Sequence, residues 1–175
     1  KLMYIKSIFY FFNKFSNNVL CFFLLFFLIN IESSFGFFLI FDHSTPSFLS
    51  IAIYLCLRKF SIHISSFLLF TLGILYDVLL GSNIGISSMF FLLIKYFTQY
   101  LKLSFIENDS DNDWIYFTFV FISSFIITFS LNIILNLTIP DFSPVLFHLG
   151  STLIIFPFIV IIINFIYFIT KLIKN

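Results

Sequence analysis

Long apolar runs separated by short polar breaks organise this chain from end to end. Their lengths predict six membrane-crossing helices, roughly at residues 19–41, 47–57, 64–80, 84–101, 114–139 and 145–170. Residues 1–17 mix Lys1, Lys6 and Lys14 with aromatic and aliphatic side chains and are read as a cytoplasmic, amphipathic stretch lying on the membrane surface. In the first run, Glu32, Ser33, Ser34 and Gly36 predict a kink or break. A turn follows at Asp42–Pro46, with Pro46 suited to the first turn of the next helix. The second run ends at Arg58 and Lys59 and is too short to cross a hydrocarbon core of ~30 Å unaided. Either its ends extend or the bilayer thins. Gly81, Ser82 and Asn83 turn the chain between the third and fourth runs, and Pro140–Pro144 separates the last two. No linker is long enough to divide two domains, so residues 1–175 are read as one membrane domain.

Composition supports the same class. Hydrophobic residues make up 61% of the chain and charged ones 10%, and the mean hydropathy is +1.12. A soluble domain of this size could not hide that much apolar surface, so the expected class is all-α integral membrane. Phe occurs 31 times while Ala52 and Arg58 are each the sole residue of their type, a bias that fits an AT-rich genome choosing among equivalent apolar codons. The net charge of +1 gives no support for nucleic-acid binding. Cys21 and Cys56 lie in apolar runs and read as small buried hydrophobes. The N-terminal stretch has no small-residue cleavage site after its apolar run and reads as mature protein.

The distribution of basic residues orients the helices. With both termini cytoplasmic, Lys1, Lys6, Lys14, Arg58, Lys59, Lys102, Lys171 and Lys174 fall in or beside inner segments. Lys95 sits in the inner half of the fourth run and can snorkel the same way. The outer turns near 42–46, 81–84 and 140–144 contain neither Lys nor Arg. Five crossings would strand one set of terminal lysines outside.

Against this apolar background Asp77 is the principal anomaly, because a carboxylate in lipid is expensive. Gly73, Asp77 and Gly81 are four residues apart and share one helical face, small and polar at its centre, which suits a neighbouring helix. One reading makes Asp77 a helix-end carboxylate bonded to turn amides around Gly81 and Asn83. The other makes it a packing or gating group between helices. Ser124, Thr128, Asn132 and Asn136 form a second stripe at the same spacing on the fifth run, and His148 lies at comparable depth on the sixth. An outer polar cluster of Asp77, Asn132, Asn136 and His148 is therefore expected, acting as helix glue.

Other motifs carry less. Asp109, Asp111 and Asp113 start like a calcium loop, but Trp114 stands where the loop needs Gly and Val120 where it needs a bidentate Glu. The glycosylation sequons at Asn108 and Asn136 are predicted to be cytoplasmic and membrane-embedded, respectively. His43, His63 and His148 fall in separate segments and predict no zinc site. There is no phosphate loop, nucleophile–base pair or paired acid/base carboxylates. No enzyme activity, cofactor or metal is expected.

Gly73-Ile74-Leu75-Tyr76-Asp77-Val78-Leu79-Leu80-Gly81-Ser82-Asn83-Ile84-Gly85 resembles the signature of the rod shape-determining MreD family: a Gly-apolar-apolar-x-Asp run, a turn, and a second Gly opening the next helix. Pro46 upstream and Thr152 and Pro157 in the last run are also similar to the family's layout. The specific likeness is confined to residues 72–85. It implies a non-enzymatic scaffold in the bacterial inner membrane, part of the cell-elongation machinery. By that resemblance its partners are MreC, a single-pass membrane protein, and through it MreB, RodA and a penicillin-binding transpeptidase of lateral-wall peptidoglycan synthesis. The implied fold is a six-helix bundle similar to the substrate-binding subunits of energy-coupling-factor vitamin transporters. Gly73, Asp77, Gly81 and Gly85 are the matching positions, and no catalytic residue is carried over.

That fold relationship supplies the alternative function, a vitamin-binding transporter subunit. Such subunits resemble one another in an Ala-x-x-x-Ala face on the first helix, whereas the first run here contains no Ala. A membrane enzyme acting on lipid-linked intermediates would need an acid/base set that this chain lacks.

Overall fold

A computed structural model describes residues 22–34, 45–58, 64–104, 113–137 and 142–174. These residues are helical throughout, apart from turns. The helices are α1 (Phe22–Ser34), α2 (Phe48–Arg58), α3 (Ser66–Leu80), α4 (Ile86–Ser104), α5 (Asp113–Asn136) and α6 (Phe142–Lys174). The expected surface stretch at 1–17, Cys21, His43, His63 and most of the acidic run lie outside the described residues.

Helix ends follow local chemistry. α3 stops at Gly81, whose left-handed φ of 65° lets its N–H return to the Asp77 carbonyl. α5 stops at Asn136, and Leu137 takes a left-handed φ of 53°, a conformation that crowds a Cβ. α6 begins at Phe142, ahead of the expected start at 145, because Pro144 sits in its first turn, where no N–H is required. Deeper in the same helix Pro157 does remove a ladder hydrogen bond.

Hydrogen bonds fix the direction of each helix. The ends of α1, α3 and α5 and the starts of α2, α4 and α6 meet at one pole, through contacts of Glu32 with Leu49 and Tyr76, Asn83 with Asn136, and His148 with Thr45. At the other pole Arg58 donates to Asp113 at 2.6 Å, with its guanidinium 4.2 Å from the centre of the Tyr116 ring. Lys95 reaches the start of α3, donating to the Ile64 carbonyl at 2.8 Å and to Ser66 Oγ at 2.7 Å.

α2 is the most enclosed element, with Leu49, Ile51, Ile53, Tyr54 and Leu55 buried. At 11 residues it is about 16 Å long. Its neighbours cover most of its surface. Tyr54 meets Phe117 and Phe156 edge-on, and those two rings stack at 4.1 Å, joining α2, α5 and α6. α5 and α6 face outwards. Each is long and apolar enough to cross a membrane, yet only 22% and 11% of their most apolar windows are buried. The core helix of a soluble protein would be mostly covered. Here Phe119, Ile126, Ile134, Phe147, Phe158 and Ile161 are all exposed.

Candidate functional site: the polar pole of the bundle

Asp77 is fully buried at the end of α3, and its carboxylate serves the start of α4. Oδ2 accepts the Gly85 N–H at 2.7 Å, while Oδ1 accepts the Ser87 N–H at 3.2 Å and the Ser82 hydroxyl at 3.0 Å. The first N–H groups of a helix have no intrahelical partner and carry the positive end of its dipole. An acid on α3 thus does for α4 what a local capping residue would do. The Asp77 carbonyl also accepts from Ser82 N–H at 3.0 Å, so one residue ties both ends of the turn.

The glycines of this motif do two different jobs. A Cβ on Gly73 would lie 2.2 Å from the Ser88 Cα, so Gly73 is where α3 and α4 touch backbone to backbone. That close approach lets Ser88 Oγ donate to the Phe70 carbonyl at 2.9 Å. Gly81 and Gly85 have open space around them but adopt φ of 65° and 103°, which other residues resist. The expected small-residue packing face is therefore confined to Gly73. Gly81 belongs to the turn.

The structure does not bring Asp77 together with Asn132, Asn136 or His148 by any hydrogen bond. The backbone amides of the adjacent turn satisfy the carboxylate first. Asn132 and Asn136 instead meet Asn83: Asn83 Nδ2 donates to Asn136 Oδ1 at 2.7 Å and to Asn132 Oδ1 at 3.3 Å, and Asn136 Nδ2 donates to Asn132 Oδ1 at 2.8 Å. This triad links the α3–α4 turn to the end of α5. His148 Nδ1 donates to the Thr45 carbonyl at 2.6 Å, tying α6 to the entry of α2. One turn further along α6, Thr152 Oγ1 accepts the Ser47 N–H at 3.0 Å and donates to the His148 carbonyl at 2.7 Å.

A second buried carboxylate, Glu32, repeats the Asp77 arrangement. It lies at the end of α1, and Oε2 accepts the Leu49 N–H in the first turn of α2 at 2.9 Å. Its Oε1 accepts the Tyr76 hydroxyl at 2.7 Å, so it also binds the first hairpin to α3. Sequence reasoning took Glu32 for a kink and did not single out Tyr76. The available signal was the one that drew attention to Asp77, a lone acid in an apolar run.

Among the described residues the partners of these two carboxylates are donors at helix starts and turns, together with the Tyr76 hydroxyl that ties Glu32 to α3. The two hydroxyls that meet these carboxylates, Ser82 at Asp77 and Tyr76 at Glu32, donate to acids that also hold backbone amides of the next helix. No group of three His, Cys, Asp or Glu among the described residues is placed to hold a metal ion. The geometry locks helices together. Neither a protein-family model, nor a curated protein, nor a solved structure matches this chain.

Proposed function

We propose that this chain is a non-enzymatic, multi-pass scaffold of the bacterial inner membrane, of the MreD type. In this role it holds an MreC-like single-pass protein and so helps direct lateral-wall peptidoglycan synthesis and cell shape. The observation that carries the reading is the α3–α4 hairpin. Gly73, Asp77, Gly81 and Gly85, the positions of the family-like pattern, each have a distinct mechanical job in it. A motif spent wholly on clamping two helices suits a scaffold better than a reactive centre. Membrane placement draws support from the uncovered apolar faces of α5 and α6. Six crossings with both termini inside agree with Arg58 and Lys95 lying at the pole opposite the carboxylate-capped turns.

Co-purification from membranes tests this function. Recovery of a protein with one transmembrane helix followed by heptad repeats is the expected result. Recovery with an ATPase module and a bound vitamin would replace the scaffold with the transporter-subunit reading.

A further inference from the structure

A cleft of about 290 Å³ opens at the polar pole, between the end of α5 and the start of α6. Phe125, Phe129 and Val145 form apolar wall, with the two rings stacked at 5.7 Å, and Thr128, Asn132 and His148 supply the polar atoms. We propose that this cleft binds an uncharged glycerolipid of the diacylglycerol kind. His148 and Asn132 take its hydroxyl and an ester carbonyl, and the phenylalanines take the first part of an acyl chain.

The polar demand of the site follows from the bonds already made. The Thr45 carbonyl can only accept, so His148 Nδ1 carries the hydrogen, and in the neutral ring Nε2 is an acceptor. Nε2 has no hydrogen-bond partner among the described residues. Asn132 Oδ1 accepts from both Asn83 and Asn136, which fixes the amide's orientation and leaves its Nδ2 a donor without a partner among them. The cleft therefore has the Asn132 amide as donor and, as acceptors, His148 Nε2 and the Thr128 hydroxyl oxygen, whose hydrogen is spent on the Ser124 and Phe125 carbonyls. A free hydroxyl beside an ester carbonyl offers the complementary pair.

Charge and size narrow the choice. Among the described residues no Lys, Arg, Asp or Glu lines the cleft, so a phosphate would find no counter-charge on them and would enter at a large desolvation cost. The volume is at the small end for ligand pockets, enough for a glycerol linker and a short length of chain. The rest of the lipid would lie along the exposed apolar surfaces of α5 and α6.

Photo-crosslinking of the full chain in nanodiscs tests the site. The probes are a diazirine-bearing diacylglycerol, its methyl ether, and phosphatidic acid with the same chains. The diacylglycerol should label α5 and α6 peptides around the cleft. Loss of one hydrogen bond should weaken labelling by the methyl ether about tenfold, and the uncompensated charge should weaken phosphatidic acid at least as much. Val145→Trp should abolish labelling. Equal labelling by the three lipids, or unchanged labelling of a folded Val145→Trp protein, overturns the proposal. If that variant does not fold, His148→Gln, which keeps a donor for Thr45 and an acceptor, should retain labelling that His148→Leu loses about tenfold. Equal labelling of those two variants also overturns it. The inference rests on the membrane placement above and not on the scaffold's partner. Lost labelling with intact partner recovery counts against the cleft alone.

Discussion

Trp114 donates its indole N–H to the Leu153 carbonyl at 3.1 Å, and Leu153 is the residue whose helical partner Pro157 removes. Residue 157 would normally donate to residue 153, but proline has no N–H to give. A side chain from α5 thus fills the gap that a proline opens in α6. In a low-dielectric setting an orphan carbonyl is costly, so the two residues form one device.

A double-mutant cycle isolates that device. Trp114→Phe keeps most of the ring and removes the donor, and is expected to cost about 1 kcal/mol. In a Pro157→Ala background the restored N–H serves Leu153, and the same change should cost close to nothing beyond lost packing. Thermal unfolding of the purified protein measures both. Additive effects would show that Trp114 does not compensate the proline.

At Asp77 the choice of replacement separates capping from mere polarity. Asn keeps one acceptor oxygen for the α4 amides but sets an NH₂ against one of the remaining donors. Leu leaves the Gly85 and Ser87 amides without their acceptor and the Ser82 hydroxyl with only the Asp77 carbonyl, at 3.5 Å. The expected loss is about 1–2 kcal/mol for Asp77→Asn and roughly twice that for Asp77→Leu. Equal tolerance of the two, read from melting and from partner recovery, would remove the carboxylate from any part in assembly.

The all-helical class was readable from run length and composition, and so was the turn at Gly81, because turn chemistry and apolar length are local properties. The polar partnerships were not. Spacing correctly placed Asn132 and Asn136 on one face of α5, but their partner Asn83 looked like an ordinary turn residue. For Asp77 the sequence left two readings open, a carboxylate bonded to the amides of its own turn and one sharing a cluster with Asn132, Asn136 and His148; its hydrogen bonds follow the first. Which donor lies nearest a buried carboxylate depends on the crossing of two helices, and periodicity in either one does not encode that. For the same reason Glu32 went unrecognised, since its donors come from α2 and α3.

The glycines divide by mechanism, and alanine substitutions should sort them. Gly73→Ala forces α3 and α4 apart, since the clash is with Ser88 backbone, and overpacking of this kind costs about 1–3 kcal/mol. Gly81→Ala costs about 1 kcal/mol through its left-handed φ alone, and Gly81→Asn less. Gly150 has open space and no positive φ, so Gly150→Ala is the neutral control. If Gly73→Ala melted like Gly150→Ala, the close approach of the two helices would be disproved.

Glu32 and Tyr76 offer the sharpest test of coupling between the first two hairpins. Tyr76→Phe removes the one side-chain donor to a buried carboxylate whose other donors are the Leu49 and Phe48 backbone N–H groups. The expected cost is about 1–3 kcal/mol. Glu32→Gln keeps one acceptor oxygen and should be milder than Glu32→Leu, which takes the acceptor away from the Tyr76 hydroxyl and from the Leu49 and Phe48 N–H groups. Once Glu32 is Leu, Tyr76→Phe should become nearly neutral or stabilising, because the orphaned hydroxyl goes with it. Retention of the full Tyr76→Phe penalty in that background would mean that Tyr76 acts through packing on Phe91, which its ring meets edge-on at 5.8 Å, and not through the acid.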